Sequence, residues 1–178
     1  MKKNNLTILK GLHVVSWIIF IGLCIEAGAL LFNFIFALVK PVATHNVYKG
    51  LDLSVLYEKE FPHFVGIMSG IVLLALLKAY LFYLVVSLFS KLNIEAPFSL
   101  AIAKIIEKIS YEAFSIAIIS VVANQYAEKL IQEGYEISET NVYWNDTAAF
   151  LMMAAIVYVI AQIFKRGIEL QAENDLTV

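Results

Sequence analysis

Apolar residues gather along this chain into four long runs, at 12–39, 64–89, 109–127 and 148–164, separated by segments in which charged and polar side chains return. A helix rises ~1.5 Å per residue and the hydrocarbon core of a bilayer is ~30 Å thick, so about 20 apolar residues suffice to cross it. Four such runs predict an all-α fold: an integral membrane four-helix bundle, one membrane domain over residues 1–178 with a C-terminal tail from 165 onward. The third run is the least apolar, because Glu112 lies inside it and Gln125 near its end. The fourth is short but extends into Val142, Tyr143 and Trp144, whose aromatic rings suit the membrane interface. The first run is far longer than the ~7–15 apolar residues of a cleaved signal peptide, and no A-x-A site follows it, so it is read as retained.

The connecting segments differ in pattern. In "KPVATHNVYKGLDLSVLYEKEFPH" (40–63), a long outer loop, Leu51, Leu53, Leu56 and Tyr57 form one side of a short interfacial helix. In "SKLNIEAPFSLAIAKIIEK" (90–108), Pro97 suits the first position of a helix, and Phe98, Ile102, Ile105, Ile106 and Ile109 recur at helical spacing. This amphipathic cytoplasmic link is expected to lie on the inner leaflet before it enters the third run. "NDT" (145–147) is formally a glycosylation sequon, but Asp146 or Thr147 opening a helix is the favoured meaning.

Composition sharpens the picture. Hydrophobic residues make up 61% of the chain and charged ones 16%, against roughly 45–50% and about 25% in soluble domains; the lipid bilayer is the first partner implied. A net charge of -2 without a basic cluster argues against direct nucleic-acid binding. The single cysteine, Cys24, excludes an intramolecular disulfide. Lys2, Lys3, Lys10, Lys91, Lys104, Lys108, Lys165 and Arg166 fall on one side of the four spans; Lys40, Lys49, Lys59 and Lys129 fall on the other. The excess places both termini in the cytoplasm.

Two ionisable residues sit where they are expensive. Glu26 and Lys78 lie near the middles of the first and second runs, and each costs ~2.5–3.5 kcal/mol if left alone at mid-bilayer. Antiparallel helices bring them to within ~3 Å in height, so they are expected to pair. A structural clamp is the plain reading of that pair; a proton- or ligand-linked site is the functional one. Glu112 lies one turn from Lys108 and is expected to pair with it. "GIMSG" places Gly66 and Gly70 four apart, a spacing that lets helices approach closely, within one chain or in a homodimer. His45 and His63 flank Glu58 and Glu60 without the spacing of a metal motif, and His13 is an interfacial side chain. No nucleophile elbow or phosphate loop occurs. An enzyme is therefore not expected, and no metal or cofactor is implied.

After the last run come Lys165 and Arg166, a cytoplasmic anchor, and Gly167, which either ends the helix in a left-handed conformation or lies within a continuing one. In the continuing case Phe164, Ile168 and Gln171 share one face, and Ile163, Gly167 and Leu170 its neighbour. Lys165, Arg166, Gly167, Glu169, Leu170, Glu173, Asp175 and Leu176 together form a candidate docking surface; a solvated tail folding back on its own basic residues is the alternative.

The ending "FKRGIELQAENDLTV", the "PF" at 97–98 opening a cytoplasmic helix, and four spans in so short a chain resemble the bacterial domain-of-unknown-function family 2975. That family's ending reads as a glycine, an aliphatic, an acid-rich polar pair and then "DLTV"; Ala172 stands where an acid is expected. The resemblance implies a multi-pass inner-membrane protein without assigned chemistry, often encoded beside a small helix-turn-helix regulator. It therefore implies a membrane anchor that holds or releases a cytosolic DNA-binding regulator, with the acidic tail as the handle. The competing reading is a small transporter or ligand-binding membrane protein built on Glu26 and Lys78.

Overall fold

The computed structural model describes residues 2–48, 50–92 and 98–175. Among them the chain is all-helical, without strands: α1 (Lys2–Val39), a 3-10 helix (Pro41–Asn46), α2 (Ser54–Lys59), α3 (Phe61–Lys91), α4 (Leu100–Gln132), a second 3-10 helix (Ser138–Tyr143) and α5 (Thr147–Asp175). Lys49, Pro97 and Leu176 lie outside the described residues. Three helical segments, Thr7–Val39, Phe61–Lys91 and Glu139–Asn174, are long and apolar enough to cross a membrane. The third predicted run falls on α4, which has the length, 33 residues. Its apolarity is diluted by Ser110, Glu112, Ser115, Ser120, Asn124 and Gln125.

The chain divides into two compact units. The first comprises residues 1–20, 80–115 and 148–178. Its core is built on the isoleucine stripe of α4. Ile105 and Ile109 pack with Leu84 of α3, with Val85, Leu88 and Val157 around them. Ile102 and Ile106 pack with Ala161 of α5, with Leu88, Leu92, Val157 and Phe164 around them. This corrects the expectation of a link lying on the inner leaflet: the stripe is covered by protein, and residues 100–108 are continuous with the third run in one helix. A stripe at i, i+3, i+4 and i+7 serves a lipid surface and a neighbouring helix equally well, and here helices occupy both of its flanks. Ser99 caps the helix, its Oγ accepting from the Ile102 N–H at 3.3 Å.

The second unit comprises residues 21–79 and 116–147. Leu51, Leu53 and Leu56 are buried in it, and α2 packs on the first 3-10 helix. The leucine face assigned to a membrane interface is thus turned into the protein. Tyr57 joins it by meeting the rings of Phe61 and Phe64 edge-on, with centroids at 5.3 Å and 5.0 Å. At the far end, α4 stops where Gly134 adopts φ +95°. The Gly134 N–H bonds to the Ile131 carbonyl and the Tyr135 N–H to the Leu130 carbonyl, closing the helix as a left-handed cap.

Candidate functional site

Lys78 lies in the second unit. Its Nζ donates to the Tyr143 carbonyl at 3.1 Å and stands 3.8 Å from Asp146 Oδ2. Neither contact is with a residue at matching height on another span. Both instead come from the connection between α4 and α5, at the end of the second 3-10 helix. Glu26 is half-buried and acts electrostatically on Tyr143, as does Tyr48, so the same tyrosine is in reach of both intramembrane candidates. The outcome is a polar group of Lys78, Tyr143 and Asp146. The Lys78 ammonium has a carbonyl and a carboxylate to replace part of its lost hydration.

The small-residue pair of α3 is filled from within the chain. A Cβ built on Gly66 would lie 3.1 Å from both Cε1 and Oη of Tyr126, and one on Gly70 would lie 3.9 Å from the Ala123 Cβ. Tyr126 is held in that seat by a 2.7 Å hydrogen bond between its hydroxyl and His63 Nδ1. Gly66→Leu is accordingly expected to push α4 off α3 and to lower stability by about 2–3 kcal/mol. Gly70→Ala, at ordinary contact distance, should be close to neutral. Unfolding of both variants in mixed micelles checks the contrast, and equal effects would refute it.

The C-terminal candidates lie in the first unit, and they divide. Gly167 does not end the helix: α5 runs on to Asp175. Its function is a close approach, since a Cβ there would lie 2.8 Å from Phe98 Cδ1. Phe98 in turn packs against Phe164 at 5.2 Å between centroids. Lys165 is likewise engaged within the chain, its Nζ donating to Glu107 Oε1 at 2.6 Å; that bond holds the Glu107 carboxyl below its ordinary range. Arg166 instead pairs along the outside of its own helix with Glu169 at 2.8 Å. Arg166, Glu169, Leu170 and Glu173 are all exposed. The docking surface drawn from the sequence therefore splits into residues that fasten α5 to α4 and to the segment just before it, Lys165 and Gly167, and residues that face outward. Asp175 closes the helix.

Two smaller expectations also meet the structure. Glu112 does not pair with Lys108: its Oε1 is buried without a hydrogen-bond partner among the described residues, while Lys108 is exposed. One turn of helix brings the two positions close, but the side chains point to different surroundings. His13 is fixed by its neighbours, its Nε2 accepting from the Trp17 indole N–H at 3.0 Å and its ring stacking on Phe89.

The long apolar helices define an all-helical membrane protein. The chain belongs to the family DUF2975, proteins of unknown function, which it matches over residues 52–178. That match begins after α1 and covers α2 to α5. No curated protein and no solved structure matches the chain.

Proposed function

We propose that this protein is a regulatory anchor of the bacterial inner membrane, crossing it four times with both termini in the cytoplasm, and that the end of α5 docks a cytosolic partner. The observation that carries this reading is the continuation of α5 as ordered helix through Asp175 with its outer residues unburied. A helix already formed loses little conformational entropy on binding, unlike a tail that must order itself first. Leu170, 46% exposed, offers an apolar knob flanked by the acids Glu169 and Glu173. Such a surface complements the basic face of a small helix-turn-helix regulator, the partner class that the family resemblance implies.

The test is capture from native membranes with partners identified by mass spectrometry. The intact protein should retain a small DNA-binding protein. Leu170→Glu, or joint Glu169→Lys and Glu173→Lys, should lower its recovery by about tenfold, the equivalent of 1.4 kcal/mol, with insertion unchanged. Recovery unaffected by these changes would defeat the reading.

The second reading, a transporter or ligand-binding protein, draws its support from the polar group around Lys78. Intramembrane ionisable residues mark ion and substrate routes by default. It predicts a phenotype from Glu26→Gln or Lys78→Met while partner capture stays normal.

A further inference from the structure

A cavity of about 520 Å³ opens in the second unit between the segment entering α2 and the connection that follows α4. This volume falls within the ~300–1,000 Å³ usual for small-molecule sites. Val55 and Ile131, both exposed, supply apolar surface to the lining and Tyr135 adds an aromatic ring, while Leu53, Leu56 and Ile137 border it but are buried. Asp52, Glu136 and Glu139 supply the rest of its polarity, and all three are acids.

Both walls are fixed by the chain itself. The Leu53 N–H donates to the Thr44 carbonyl at 2.9 Å. Asp52 Oδ1 accepts from the Ser54 N–H at 2.8 Å and from the Ser54 hydroxyl at 2.6 Å, which orients the carboxylate at the start of α2. The opposite wall begins at the left-handed Gly134 turn, where nothing lies within 4 Å of an added Cβ, so the turn itself leaves the space open.

Charge selects the occupant. The Ser54 hydrogen bonds, hydroxyl first, and then His45 hold Asp52 below its ordinary carboxyl value, so it is ionised near neutral pH. Glu136 and Glu139 are exposed and have no ion-pair partner among the described residues. Three negative groups around an apolar lining disfavour a neutral apolar ligand and repel a phosphate headgroup. A compact divalent ion needs its oxygen ligands at 2.3–2.6 Å from one point. Among the described residues no three His, Cys, Asp or Glu side chains are grouped closely enough to hold a metal. Carboxylates set apart on two walls instead fit a cation with extent, its charge shared among them and its body against Val55, Ile131 and the Tyr135 ring.

We propose that this cavity binds an organic ammonium ion carried on an apolar, ring-sized body. The site uses none of the residues invoked for partner docking or for the Lys78 group, so it stands or falls separately from both.

Calorimetric titration of the full-length protein in detergent micelles, corrected for empty micelles, tests it. The probes are 2-phenylethylammonium, the uncharged 2-phenylethanol and calcium chloride. The expected result is saturable binding of the ammonium ion, with the alcohol weaker by about tenfold or more. Joint Glu136→Gln and Glu139→Gln should weaken the ammonium ion by about tenfold, and Ile131→Trp, at the cavity wall, should abolish its binding. Both glutamates are exposed, so the amide variants should keep their helical circular dichroism. Equal affinity for alcohol and ammonium, an unchanged affinity in the double variant, or heat from calcium alone would overturn the proposal.

Discussion

Trp144→Ala is expected to lower the unfolding free energy by about 3–5 kcal/mol, the range for emptying the site of a large buried aromatic. The Trp144 ring is 2% exposed, and it lies in the connection on which Lys78 depends. Its neighbour Tyr143 gives Lys78 a carbonyl, and its own carbonyl accepts from the Thr147 hydroxyl at 2.9 Å where α5 begins. Truncation therefore removes packing and also loosens the backbone that presents an acceptor to an intramembrane cation. The indole Nε1 has no hydrogen-bond partner among the described residues. Trp144→Phe should for that reason cost only the lost volume, about 1–2 kcal/mol. Unfolding of the two variants in mixed micelles decides the matter: a phenylalanine as costly as alanine would mean that the indole N–H has a partner after all.

Phe64→Ala should be comparably severe, again about 3–5 kcal/mol. The residue is fully buried at the start of α3. Its ring meets Tyr57 of α2 at 5.0 Å, Phe61 at 6.2 Å and Phe34 of α1 at 6.3 Å. One side chain thus joins three helices of the second unit. Phe64→Leu keeps most of the apolar burial and loses the edge-to-face geometry, for about 1 kcal/mol. Because Tyr57 follows Leu56 on α2, the alanine variant should also displace a wall of the 520 Å³ cavity. Weakened ammonium binding in Phe64→Ala but not in Phe64→Leu would tie the two effects together.

The helices were legible because long apolar runs bounded by charge leave the backbone no other way to satisfy its amides in lipid. Both ends of the second run, the close of the first and the start of the last fell within three residues of the helix ends, whereas α1 begins ten residues before its run and α5 ends eleven residues beyond its own. What the apolar faces touch was not legible. Ile102, Ile105, Ile106 and Ile109, like Leu53 and Leu56, read equally well as lipid-facing or protein-facing, since both surroundings are hydrocarbon. The Tyr143 and Asp146 contacts of Lys78 were hidden for a different reason. Heights along two helices can be compared from sequence, whereas a connection 65 residues away that folds back to offer a carbonyl leaves no periodic trace. Gly167 shows the same limit at short range. A glycine near the end of a helix signals either a stop or a close neighbour, and only the position of Phe98 decides between them. The Lys165–Glu107 bond spans 58 residues and was equally invisible.

Because α5 runs unbroken over 29 residues, about 43 Å at ~1.5 Å per residue, it has no joint at which one end can turn alone. Any twist or tilt imposed at Thr147 must be delivered at Asp175 as a rotation of the outward-facing side chains. The helix would then work as a shaft, conveying orientation from one end of its length to the other.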